Sequence, residues 1–155
     1  MTVSELKSLL LQVKSGTVDL SEAHAQILAL LQAAPFENLG FARVDHHREI
    51  RQGFPEVILG LGKTSRHISA IASRLVENGQ QALVTRLDES TAREVQVVLP
   101  TLRYYPEGRI GALGEPPVPH SQTPILVISA GTADIPVAEE AVISAEWLGN
   151  RVERL

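Results

Sequence analysis

Ile125 to Glu140, ILVISAGTADIPVAEE, changes both period and chemistry within sixteen residues, and the rest of the chain is organised around it. Ile125 to Ser129 is an apolar-leaning run of strand length. Ala130, Gly131, Thr132, Ala133 and Asp134 follow as a turn of small side chains. Pro136, Ala138, Ala141, Val142, Ala145 and Leu148 then recur at helical spacing. The succession predicts a buried strand, a tight turn and a helix. A turn without bulky side chains lets a ligand approach the backbone, and the unpaired N–H groups of a first helical turn suit an anion such as phosphate. Asp134 has two readings there, as a cap for the helix or as an acceptor for ribose hydroxyls.

The preceding residues set this unit in context. Val3, Leu6, Leu10 and Val13 mark an amphipathic helix that stops at Gly16, and Asp19 with Glu22 starts another carrying Ala23, Ile27, Leu30, Leu31 and Ala34. Residues 1–34 are thus expected to form a helical hairpin, closed by Pro35, with His24 off the apolar stripe and on the surface. Phe41 to Val44 and Glu56 to Leu59 read as short strands. Ile68, Ile71, Ala72 and Leu75 make a helix ended by Gly79, and Ala82 to Thr85 a strand. Asp88 or Ser90 caps a helix with Ala92, Val95 and Leu99, and strands follow at Leu102 to Tyr105 and Ile110 to Leu113. The alternation predicts an α/β domain with a largely parallel sheet over residues 35–113.

Residues 114–124 hold four of the nine prolines and read as a semi-extended linker with His120 exposed. Residues 125–155 then supply one strand, one helix stopped by Gly149 and the start of a second strand from Arg151. That is too little to bury both faces of a sheet. This last part is expected to be incomplete, or to dock on the preceding domain or on another subunit.

Asp45, His46, His47, Arg48, Glu49 and Arg51 crowd one short segment with groups that bind or transfer protons. Adjacent histidines on an extended chain point to opposite faces, which disfavours a shared metal ion. A substrate loop is a second reading, with Arg48 and Arg51 gripping phosphate or carboxylate and a histidine moving protons. A solvated turn in which Asp45 merely pairs with Arg48 is the third. Gly60 to Thr64, GLGKT, is similar to the end of a phosphate-binding loop, yet Val57 stands where the full pattern needs glycine. Lys63 and Thr64 remain candidates for anion binding at a helix start.

Composition narrows the classes further. With 155 residues and a net charge of −4 carried by interleaved acids and bases, the chain shows neither a nucleic-acid footprint nor a basic membrane patch. No apolar run reaches membrane-spanning length, and the N-terminus lacks the features of a signal peptide, so a cytoplasmic location is expected. The absence of cysteine removes disulfides, thiolate metal sites and thiol nucleophiles from this chain.

ENLGFARVDHHREIRQGFPEVILGLGKT and SAGTADIPVAEEA, in that order, resemble the LarB family. These are pyridinium-3,5-biscarboxylic acid mononucleotide synthases with a domain similar to aminoimidazole ribonucleotide carboxylase, and cyanobacterial relatives are called circadian phase modifiers. The resemblance covers about Pro35 to Leu155. It implies that the helical hairpin is followed by a small α/β domain and then by the first strand–helix–strand of a doubly wound, parallel-sheet carboxylase-like domain. It also implies carboxylation of nicotinic acid adenine dinucleotide with carbon dioxide or bicarbonate and release of AMP, in nickel-pincer cofactor biosynthesis. A cysteine thiolate is the family's nucleophile, so this chain, which has none, is expected to be an inactive N-terminal part of such an enzyme.

Further expectations rest on the same resemblance. Ser129, Gly131, Thr132 and Asp134 occupy the turn that holds a phosphoribosyl group in the carboxylase-like family, with Ala133 where a serine is usual. Arg48, Arg51, Lys63 and Thr64 are further substrate-binding candidates, and Asp45, His46 and His47 are candidates for proton transfer. No tightly bound cofactor and no resident metal is expected, magnesium being admitted alongside the dinucleotide, and self-association is expected through the second domain. A regulatory or interaction module without chemistry is the alternative, and a nucleotide-binding enzyme built on GLGKT is a third.

Overall fold

The computed structural model describes residues 3–32 and 36–155. Ala34 and Pro35, the expected end of the hairpin, lie outside the described residues, as do the side chains of Val3, Leu30, Leu31 and Arg51. The chain falls into two compact units, Met1–Phe54 and Pro55–Leu155.

In the first unit α1 (Val3–Ser15) and α2 (Leu20–Gln32) pack as the expected hairpin. Asp19 starts α2, its Oδ1 accepting from the Glu22 N–H at 2.9 Å. The buried contacts are Leu9 and Ala23, whereas Leu10 is exposed. Spacings of three and four are both helical, so the run Leu9-Leu10-Leu11 does not reveal which leucine faces inward. Next comes a small antiparallel hairpin of β1 (Phe36–Asn38) and β2 (Arg43–Asp45), then a short helix α3 (Arg48–Gln52). The strand expected at Phe41 therefore begins two residues later, and Phe41 lies exposed in the turn.

The second unit is built on β3 (Val57–Leu59), α4 (Ser65–Glu77), β4 (Ala82–Thr85), α5 (Glu89–Val98), β5 (Arg103–Tyr105) and β6 (Ile110–Leu113). The sheet order is β3-β4-β6-β5. Only β3 and β4 are parallel, joined by α4, while β4 with β6 and β5 with β6 are antiparallel. This corrects the largely parallel sheet expected from the alternation. The turn at 106–109 is far shorter than a parallel crossover requires, so β5 and β6 close a hairpin.

All residues of β4 from Ala82 to Val84 are buried, so both faces of the sheet are covered. The i, i+3, i+4, i+7 stripe of Ile68, Ile71, Ala72 and Leu75 makes α4 amphipathic and buries that side, with Ala92 and Val95 of α5 beside it. On the opposite face lies α6 (Ile135–Trp147), whose Ile143 and Trp147 pack with Leu83, Ile110 and Ala112. The sequence stripe through Ala138 and Ala141 misplaced this face, because α6 is apolar almost all round and its period selects no side.

β7 (Ile125–Val127) and β8 (Val152–Arg154) pair in parallel around α6, completing a strand–helix–strand unit. Ile125 and Leu126 are exposed, which corrects the expected buried strand: a two-stranded sheet under one helix cannot cover both its faces. His120 is exposed, and its N–H donates to the Gly149 carbonyl at 3.0 Å, holding residues of the proline-rich segment against the end of α6. No helix among the described residues is long and apolar enough to cross a membrane.

Candidate anion-binding cleft

The parallel pair β3 and β4 ends at one edge of the sheet, where each strand feeds a helix. In sheets of this kind ligands bind outside the carboxyl ends of the strands. After β3 the chain makes a turn closed by the Lys63 N–H on the Gly60 carbonyl at 2.9 Å, with Gly62 at φ 76°, the left-handed position that favours glycine. Gly60 donates its N–H to the Thr85 carbonyl at 2.7 Å, and a Cβ at Gly60 would lie 2.9 Å from that oxygen. Thr64 caps α4, its hydroxyl accepting from the His67 N–H at 3.3 Å.

After β4, Asp88 caps α5. Its carboxylate accepts from the Ser90 hydroxyl at 2.6 Å, the Thr91 N–H at 2.8 Å and the Thr91 hydroxyl at 2.7 Å. The Ser90 hydrogen bond, followed by those from Thr91, lowers the Asp88 pKa to about 2, so the group is anionic at neutral pH.

Between these strand ends opens a cleft of about 410 Å³. Lys63, Arg86 and Arg109 bring three cations to it, Asp88 and Glu140 two carboxylates, and the Gly60 to Gly62 backbone and Val137 complete the wall. Arg86 and Arg109 have φ values of 51° and 49°, the non-glycine residues with left-handed backbone among those described. The Leu87 N–H donates to the Arg109 carbonyl at 2.7 Å and ties the two segments together. Arg86 Nε lies 3.7 Å from Glu140 Oε1 on α6. Lys63, half-buried, and Arg109, exposed, form no ion pair among the described residues. Such a cleft suits a small, multiply charged anion.

The remaining candidates lie elsewhere. Ser129 gives its N–H to the Leu155 carbonyl at 3.0 Å, and Thr132–Asp134 form a single 3-10 turn capped by Gly131, with Gly131, Thr132 and Asp134 all exposed. Asp134 stands at the start of α6 without a side-chain capping bond, so its carboxylate is not consumed by the cap. Ser129, Gly131, Thr132 and Asp134 do not line the cleft.

In the first unit Asp45 is buried and accepts the His47 N–H at 3.1 Å, and His46 Nε2 is 3.0 Å from Glu37 Oε2. The two histidines sit in a turn, so the extended-chain geometry used against a shared metal ion does not apply to them. Arg48 stacks its guanidinium 5.2 Å from the centre of the Phe54 ring, and burial raises the pKa of Glu49. Arg51 lies on α3. Among the described residues no three His, Cys, Asp or Glu side chains are grouped so as to hold a metal ion.

Arg86, Arg109 and Glu140 have no sequence signature of their own. Arg86 and Asp88 do follow Ala82 to Thr85 as Gly60 to Thr64 follow Val57 to Leu59, and treating both strand ends as equivalent positions points to them.

Residues 36–115, just over half of the chain, match the LarB/PurE-like N-terminal domain. The chain belongs to this family. Lys63, Arg86, Asp88 and Arg109 all fall within the matched region of this LarB/PurE-like chain, as does the Asp45 to Arg51 segment. The chain is also similar to an uncharacterized protein of Methanocaldococcus jannaschii, 28% identical over 162 residues that cover 93% of this chain and 57% of that protein. It thus spans a little over half the length of that relative.

Proposed function

We propose that this chain is the N-terminal part of an enzyme that carboxylates the pyridinium ring of nicotinic acid adenine dinucleotide and releases AMP, toward a nickel-pincer nucleotide. The observation that carries this reading is the coincidence of the family's domain with a cleft of three cations at the carboxyl ends of two parallel strands. A dinucleotide presents a diphosphate, and a cationic cleft at two helix starts is suited to it.

In this reading Lys63, with Thr64 holding the helix start, contributes to diphosphate binding. Arg48, Arg51, Ser129, Gly131, Thr132 and Asp134 are further ligand contacts, and Asp45, His46 and His47 handle protons. The chain contains no cysteine, so by itself it binds the dinucleotide without carboxylating it. Magnesium enters with the diphosphate, and the protein associates with copies of itself. The exposed apolar residues Ile125, Leu126, Ile128 and Ile135 favour a second reading, a module that binds a protein partner and performs no chemistry.

Calorimetry with nicotinic acid adenine dinucleotide separates the two. The chain should bind it, and Lys63→Ala, Arg48→Ala and Asp134→Ala should each weaken binding, by about 1.5 to 3 kcal/mol where a charged hydrogen bond is lost. No binding by the wild-type chain, or unchanged affinity in all three variants, would leave the partner-binding reading in its place.

A further inference from the structure

We propose that Arg86 and Arg109, together with Lys63, form a clamp for a phosphate or diphosphate group, and that the left-handed backbone at both arginines is retained because their guanidinium groups are needed there. No sequence motif assigns either arginine. A left-handed φ places Cβ against the following carbonyl, a conformation that glycine adopts freely and that arginine adopts against a steric cost. Two such residues among those described, at φ 51° and 49°, line the same cleft and are joined through the Leu87 N–H on the Arg109 carbonyl. Strained backbone of this kind concentrates where a side chain must be aimed.

The charges fit the ligand class. Of the two carboxylates lining the cleft, Asp88 is already occupied by three hydrogen-bond donors of its own helix start. Glu140 faces Arg86 at 3.7 Å, well beyond the roughly 2.7 to 2.9 Å of a charge-assisted hydrogen bond, so an incoming anion can engage that guanidinium. Lys63 and Arg109 form no ion pair among the described residues. Three cations against one loosely held and one occupied carboxylate favour an anion of two or more charges. Inorganic phosphate and pyrophosphate carry this chemistry alone, and a nucleotide carries it with a base attached.

This inference deepens the dinucleotide reading but does not require it. The test titrates the whole chain with pyrophosphate, phosphate and nicotinic acid adenine dinucleotide by calorimetry and measures melting temperatures. Variants are Arg86→Gly, Arg86→Ala, Arg109→Gly, Arg109→Ala and Lys63→Ala, with Arg93→Ala on the exposed side of α5 as control. Pyrophosphate should bind the wild-type chain and the control alike, and each cleft variant should weaken binding roughly 10- to 100-fold. Each glycine variant should melt about 2 to 4 °C above the alanine variant at the same position, because both lack the guanidinium and only alanine keeps the strain. Pyrophosphate binding without dinucleotide binding would uphold the clamp and remove the dinucleotide reading. Absence of pyrophosphate binding, undiminished binding by the arginine variants, or glycine variants melting no higher than their alanine counterparts would overturn the proposal.

Discussion

Replacing Trp147 with alanine should destabilise the second unit by about 3 to 5 kcal/mol, the range for emptying a buried aromatic site. Trp147 is 4% exposed and packs with Leu83, Ile110, Ala112 and Ile143, so it joins α6 to the two central strands. Its indole N–H donates to the Tyr105 hydroxyl at 3.3 Å, and the Arg103 guanidinium lies 5.8 Å from its ring. Losing the ring leaves a cavity and removes the donor to Tyr105, and at about 2 to 4 °C per kcal/mol the melting temperature should fall by roughly 10 °C. Val137→Ala is the comparison: Val137 is 68% exposed on the same helix, and its loss should change stability by no more than about 0.5 kcal/mol. Equal melting of the two variants would mean that α6 is not part of the core over β4 and β6.

Gly60→Ala should have the second large effect, and for a different reason. A Cβ there would stand 2.9 Å from the Thr85 carbonyl oxygen, 3.2 Å from that of Arg86 and 3.3 Å from a Val84 methyl. The first two are backbone atoms and cannot rotate aside. The ends of β3 and β4 would have to separate, loosening the 2.7 Å bond from Gly60 to Thr85, at a cost of about 1 to 3 kcal/mol. Gly62→Ala provides the contrast, since nothing lies within 4 Å of that Cβ and only its left-handed φ of 76° opposes a side chain. Denaturant unfolding should therefore show the larger loss for Gly60→Ala. Faster exchange of the residue-60 amide should accompany it in that variant alone. Equal losses without that exchange would show that the strand ends are not in such close contact.

These features were unequally legible in the sequence. The stripe of Ile68, Ile71, Ala72 and Leu75 predicted both α4 and its buried face, because an amphipathic helix packed on one side writes its period into the chain. The Ala82 to Thr85 strand was legible for similarly local reasons, and the cap of the next helix was narrowed to Asp88 or Ser90, of which the structure uses Asp88. Strand direction was not, since it depends on the length of each connection. The 106–109 turn decides it for β5 and β6. The inward face of α6 was hidden because apolar residues surround the helix, and the bulk of Trp147 chooses the side only once the sheet is present.

The candidate site divides in the same way. Lys63 was visible because it stands in a glycine-rich turn before a helix. Arg86 and Arg109 are distant in sequence and share a cleft only through the pairing of β4 with β6 and the Leu87 to Arg109 bond. The sequence drew attention instead to the small-residue turn at Gly131 to Asp134, which the fold leaves exposed and outside that cleft.

That difference can be decided residue by residue. Backbone amide shifts of the whole chain, followed by nuclear magnetic resonance during titration with nicotinic acid adenine dinucleotide, test most directly whether the ends of β3 and β4 hold the ligand. The largest shifts should map to Gly60 through Lys63, Arg86 through Asp88, and Arg109. Shifts confined to Ser129 through Asp134, or none anywhere at saturating dinucleotide, would contradict the account.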